Sequence, residues 1–184
     1  MTAVALPGFD SPAVGFEQPF EMLEACHDRV RRSLALLDRL IGHISAHGHD
    51  AQSRSAAADV LRYFDLAAPQ HHLDEERHVF PMLDLSSDPA LQTLVNGLRS
   101  DHARMEVLWA HLGAALSVWA LPIASGDVGM ELREHAREFA QLYGAHLRAE
   151  ESIVFPAARS RMDAARVARM SADMQRRRQS RPPA

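Results

Sequence analysis

Residues 71–81 read "HHLDEERHVFP", and residues 146–156 read "HLRAEESIVFP". Both carry H-x-x-x-E-E-x-x-V-F-P, and both fall where the flanking apolar spacing demands the buried face of a helix. On a helix, residues four apart share a face, so His71 lies over Glu75 and His146 over Glu150. A buried carboxylate without a counter-charge is expensive, and two that face each other are more so.

Working outward, the surrounding sequence predicts four long amphipathic helices. The first starts near residue 17, with Phe20, Leu23, His27, Val30, Leu34, Leu37, Ile41 and Ile44 at steps of three and four. "HGHDAQSRS" closes it and offers Ser53 or Ser55 as the next N-cap. The second, over 54–83, carries Val60, Phe64, Ala67, His71, His78 and Met82, and Pro69 inside it should kink it or open one turn. Asp88 caps a third helix over 89–121, with Pro89 at its first position and Leu91, Val95, Leu98, His102, Met105, Trp109, Leu112, Leu116 and Trp119 along its seam. The fourth, 128–158, carries Val128, Leu132, His135, Phe139, Leu142, His146 and Ile153. Short connections make neighbours antiparallel, so the expected fold is all-α, an up-down-up-down four-helix bundle. Residues 1–16 read as a flexible arm and 17–160 as the domain, with a short fifth helix (163–178) and a disordered basic tail within 161–184.

Composition narrows the function. A net charge of −4 and a pI near 6.2 give no electrostatic case for nucleic acid. Every basic residue is arginine, which with the many alanines reads as a GC-rich bacterial coding bias. Cys26 is the single cysteine, so a reducing, cytoplasmic setting is expected. The N-terminus lacks a basic region before its apolar run, which Pro7 and Gly8 break, and no run is apolar enough to span a membrane.

In each predicted seam a histidine at matching depth takes a slot otherwise filled by Leu, Phe or Val: His27, His71, His102 and His146. At a rise of ~1.5 Å per residue, His27 and His102 lie about 15 and 20 Å after the starts of their helices. His71 and His146 each lie about 18 Å before the ends of theirs. In an up-down bundle those starts and ends share one end of the molecule, so the imidazoles meet at nearly one level, with Glu75 and Glu150 beside them. No arginine occupies these seams, so a bound cation is the economical neutraliser. Four nitrogens and two bridging carboxylates exceed what one zinc takes and suit two iron ions.

On "CHDRV", "HHLDEERHVFP", "DHARM" and "HLRAEESIVFP", which span residues 20–158, the chain resembles the hemerythrin family, specifically bacterial HHE cation-binding proteins. The resemblance implies an oxo- or hydroxo-bridged non-haem di-iron centre, ligated by His27, His71, Glu75, His102, His146 and Glu150, with an open position for O₂ or NO. The oxygen-carrying members have a second histidine four after the first on the third helix, where this chain has Glu106, and a carboxylate five after the fourth-helix histidine, where it has Glu151. This chain is closer to four-histidine, two-glutamate members. Some of those are associated with iron–sulfur cluster repair, nitric-oxide or peroxide handling, or iron sensing. The expected role is a binding or sensing protein rather than an enzyme, a monomer or weak homodimer. Iron handling is the alternative role, and a metal-free hydrogen-bonded bundle is the third.

The remaining polar residues have plainer readings. Glu75-x-x-His78 and Glu24-x-x-His27 resemble halves of a ferritin-type site, but Ile153 stands where the related second histidine should be. His78 and Glu24 are then rim or orienting groups, and His72 a helix-flank residue. Glu76 and Glu151 point about 100° off the ligand face, toward solvent or an arginine. His135 reads as a core histidine, His43, His47 and His49 as surface residues of the first turn, and Arg176–Arg178 as a solvated run. Tyr143, one turn before His146, has two readings: a phenol that hydrogen-bonds a bound diatomic, or an ordinary core tyrosine.

Overall fold

The computed structural model describes residues 15–84, 86–124 and 127–179. Most of the arm assigned to 1–16 and the last residues of the tail, 180–184, lie outside them. The described elements are helices and turns: α1 (Pro19–His47), α2 (Ala51–Arg62), α3 (Ala68–Asp74), α4 (Pro81–Asp84), α5 (Pro89–Trp119), α6 (Met130–Ala149), α7 (Phe155–Arg159) and α8 (Ala164–Gln179). Three single π-helical turns, Tyr63–Ala67, Glu75–Val79 and Glu150–Val154, join α2 to α3, α3 to α4 and α6 to α7. The second and fourth bundle helices are therefore continuous rods, α2–α4 and α6–α7. With α1 and α5 they form a ring of four, each packed on its neighbours. No helix among the described residues is long and apolar enough to cross a membrane.

Local chemistry sets the ends. Gly48, at φ 78°, ends α1 with its N–H on Ile44 O, a conformation only glycine adopts without strain. The cap of α2 is Asp50, not Ser53 or Ser55: its carboxylate accepts from Ser53 N while the Ser53 hydroxyl takes the Asp50 N–H, a reciprocal box. Asp88 and Pro89 open α5 as their spacing predicts.

One cause produces all three π turns. In each, the residue just before a proline (Ala68, Phe80 or Phe155) donates its N–H five residues back, to Tyr63, Glu75 or Glu150. Proline has no N–H to give, and its ring would strike the carbonyl four residues back; a one-residue widening relieves both problems. The inserted residue shifts everything downstream on the helix face. The expected seam residues His78, Met82 and Ile153 give way to Val79, Leu83 and Val154, each fully buried, while Ile153 is 48% exposed.

The interior has two apolar compartments. One is built on Val30, Leu37, Ile41, Val60, Phe64, Met105, Leu112, Phe139 and Tyr143. The other is built on Phe20, Leu23, Val79, Phe80, Leu83, Val95, Leu98, Val154 and Phe155, and receives Met170 and Met174 from α8. Burying each such side chain contributes about 1.5–3 kcal/mol. Apart from Ser53 in its cap, the buried polar side chains among the described residues are His27, His71, Asp74, Glu75, His102, His146 and Glu150.

Candidate metal centre

All six residues expected to face one another do so, from α1, α3 with its following π turn, α5, and α6 with its following π turn. Their atoms form two groups, His27–His71–Glu75–Glu150 and His102–His146–Glu75–Glu150, and within each group the donor atoms lie within 4.8 Å of one another. Both glutamates belong to both groups. Glu75 Oε1 is 3.1 Å from His71 Nε2 and 3.9 Å from His27 Nε2, while its Oε2 is 3.5 Å from His102 Nε2. Glu150 Oε2 is 3.2 Å from His27 Nε2, and its Oε1 is 3.1 Å from His146 Nε2. The two carboxylates thus straddle the two pairs of imidazoles.

Most of these atoms are close without being hydrogen-bonded. Both oxygens of Glu75 and of Glu150, with His27 Nε2 and both ring nitrogens of His71, are buried without a hydrogen-bond partner among the described residues. His102 Nε2 and His146 Nε2 face each other at 3.1 Å. So many orphaned buried polar atoms are costly, and a cation among them would satisfy them together. The donor set fits that cation: imidazoles and carboxylates suit iron, zinc or manganese, and two oxygens per glutamate can join two ions.

Behind three of the imidazoles stands a carboxylate. Nδ1 of His27 donates to Glu151 at 2.8 Å, that of His102 to Glu76 at 3.0 Å, and that of His146 to Asp101 at 3.3 Å. A carboxylate can only accept, so each Nδ1 holds the proton and each Nε2 turns its lone pair inward. Arginines fix two of these carboxylates: Arg31 Nη2 reaches both oxygens of Glu151 at 2.7 Å, and Arg99 Nε reaches Glu76 at 3.2 Å. The expected arginine partners of Glu76 and Glu151 are present, but their hold on His102 and His27 escaped the sequence reading. The signal was the E-E doublet, repeated in both motifs.

Charge follows from burial. Burial first, and then the Glu150 charge, push the Glu75 carboxyl well above its usual range. Burial also pushes Glu150 upward, but the adjoining imidazoles of His146 and His27 outweigh it and hold that carboxyl well below its usual range. Burial, then neighbouring imidazoles, lowers His71, His72 and His102. For His146 the lowering by burial is overcome by Glu150 and Asp101, and its pKa rises.

The other candidates lie elsewhere. His78 Nε2 meets Asp173 of α8 at 2.9 Å, and exposed Glu24 lies 4.0 Å from Arg159. His135 is half-buried and stacks on His111 rather than lying in the core. His43 pairs with the capping Asp50 at 2.9 Å. His72 is no flank residue: its ring stacks on His102 at 4.1 Å and its Nε2 is 3.2 Å from the Tyr143 hydroxyl. Tyr143 is buried, and with His72 it lines a pocket of about 50 Å³ whose other walls include Phe64, Met105 and Phe139, with Glu106 and Trp109 also lining it. Arg177 and Arg178 are not a free run, because both pair with buried Asp74, next to Glu75.

Residues 18–158 match the hemerythrin HHE cation-binding domain. An "Uncharacterized protein" of Haemophilus influenzae (strain ATCC 51907 / DSM 11121 / KW20 / Rd) is 33% identical over 165 residues, which cover 89% of this chain and 92% of that one. With the matched span enclosing both motifs and all six clustered residues, the chain belongs to the hemerythrin HHE cation-binding family.

Proposed function

We propose that the cluster holds two iron ions, one on His27 and His71 and one on His102 and His146, joined by Glu75 and Glu150, and that the centre binds or senses O₂ or NO. The observation that carries this is the pair of donor groups sharing both carboxylates, with all four carboxylate oxygens otherwise unpartnered among the described residues. Iron supplies affinity for diatomic ligands, and four protein donors per ion leave positions for them.

The chain's own residues prepare that chemistry. Glu151, Glu76 and Asp101 fix the imidazole tautomers. The apolar compartments on either side limit water. The pocket beside His72 and Tyr143, about 50 Å³, is close in size to one or two waters at roughly 30 Å³ each, so it suits a diatomic. The Tyr143 hydroxyl is a donor at its wall.

Metal analysis with optical spectra tests this directly. The reading expects two irons per chain and a visible band that changes on anaerobic reduction and again on adding O₂ or NO. Stoichiometric iron with no response to either gas would redirect the site to iron handling. Iron passing to an apo iron–sulfur acceptor would favour that role outright.

A further inference from the structure

A separate feature runs along the outside of the bundle between α1 and α6. There α6 presents Ala136, Ala140 and Gly144 one turn apart, too small to fill the space beside Leu34, Leu37 and Ile41. The result is an open groove of about 930 Å³ with an apolar floor. Its rim carries Arg31, Arg133, Arg137 and Arg148 against a single acid, Asp38, on a chain whose net charge is −4. Arg31 is engaged by Glu151 and Asp28, and Arg133 by Ser45. Arg137 and Arg148 have no ionic partner among the described residues.

The dimensions select an occupant. From Arg133 to Arg148 the groove follows α6 for about 22 Å. Dividing the volume by that length gives a cross-section of about 40 Å², about half that of a helix 10–12 Å across with its side chains. A helix seated to half its depth fits, whereas a single alkyl chain leaves part of the width empty and brings a carboxylate to one end only. Arginines at both ends of the groove require acidic residues in the first and last turns of the guest.

From this, we infer that the α1–α6 groove docks an acidic amphipathic helix of a partner protein, with its small apolar stripe on Ala136, Ala140 and Gly144 and its carboxylates on Arg137 and Arg148. The site is independent of which metal the cluster holds. It adjoins the cluster only through Arg31, whose guanidinium is shared between the groove rim and Glu151.

The test uses the full chain, metal-free and metal-loaded, and a fluorescent helical peptide of about 15 residues with Ala and Leu along one stripe and Glu in both end turns. A control peptide carries Lys in place of each Glu, and dodecanoate serves as the lipid probe. Saturable binding of the acidic peptide alone is expected, weakened at least about tenfold by Arg137→Glu with Arg148→Glu and abolished by Ala140→Trp, which fills the floor. Circular dichroism establishes that the variants fold. No saturable binding, equal binding of the lysine peptide, or indifference to both variants would overturn the proposal. Binding of dodecanoate but not of the peptide would overturn it in favour of a lipid. Docking to metal-free protein stands or falls without reference to iron, so the two proposals fail separately.

Discussion

Glu151 stands 2.8 Å from His27 Nδ1 although the two residues are 124 positions apart, and Arg31 holds the same carboxylate from α1. The arrangement recurs on the opposite side as Arg99–Glu76–His102. In both motifs, therefore, the first glutamate faces the centre and the second orients an imidazole contributed by another helix.

Removing the orienting carboxylates should weaken metal binding without dissolving the site. Glu151→Ala and Glu76→Ala are each expected to lower metal affinity by about 10–100-fold, measured by competition with a chelator of known affinity. Both side chains are partly exposed, so melting of the metal-free protein should move little. Unchanged affinity in both variants would mean that these contacts pack the helices and do nothing for the ligands.

The two donor groups predict a stoichiometry that separates the half-sites. His146→Ala removes a donor from one group only and should leave close to one tightly held metal per chain, as should His71→Ala on the other side. Glu75→Ala touches both groups and should deplete both ions. Metal stabilises only the folded form, by about 4 kcal/mol when free metal exceeds its Kd a thousandfold, so the melting increment should shrink in the same order. Full loading of His146→Ala would contradict the assignment of its ion.

How much of this was legible in the sequence depends on which forces are local. The four helices, their order and the depth of the six residues follow from apolar spacing and helical rise, and the structure reproduces them. The seam positions beyond Glu75 and Glu150 do not follow, because proline at residues 81 and 156 inserts a π turn and hands His78's expected place to Val79 and Ile153's to Val154. His72 was unreadable for a different reason. Its role depends on the His102 ring from α5 stacking on it and on the Tyr143 hydroxyl from α6, contacts that no spacing within one helix reveals. The same holds for Asp74, whose partners come from α8.

The pH dependence has a sign that differs between metal-free and loaded protein. His71, His72 and His102 are lowered in the fold, so the unfolded chain takes up their protons near pH 6.5 while the folded chain does not. Their contribution to stability is complete above about pH 6.5 and is lost as the pH falls below it. Glu75 is raised from 4.5, so its contribution is complete below about pH 4.5 and is lost as the pH climbs through its folded value. His146 is raised too, and its contribution declines above about pH 6.5. The metal-free Tm should therefore rise from about pH 5 to 6.5 and then level or fall. A metal displaces the protons that Glu75 and His146 would otherwise keep, so the difference between loaded and metal-free Tm should widen from about pH 5 to 8. A difference that narrows over that range would count against metal binding by these groups.

The α8 helix supplies the last test. Asp74 is fully buried beside Glu75, and its neutralisation comes from Arg177 and Arg178, whose side chains remain 14% and 22% exposed. Asp173 on the same helix meets His78, and Met170 and Met174 fill the second apolar compartment. Deleting both guanidinium groups leaves a carboxylate buried without its charge partners, a change that typically costs about 3–5 kcal/mol. Arg177→Ala alone should cost less, since Arg178 Nη2 still reaches Asp74 Oδ2 at 2.6 Å. Adding Asp74→Asn to the double arginine variant should recover much of the loss, because the expense lies in the stranded charge rather than in the missing contacts. A denaturant-unfolding cycle across these variants decides it: no recovery on Asp74→Asn would place the stabilisation in the packing of α8 and remove the ion pairs from the account.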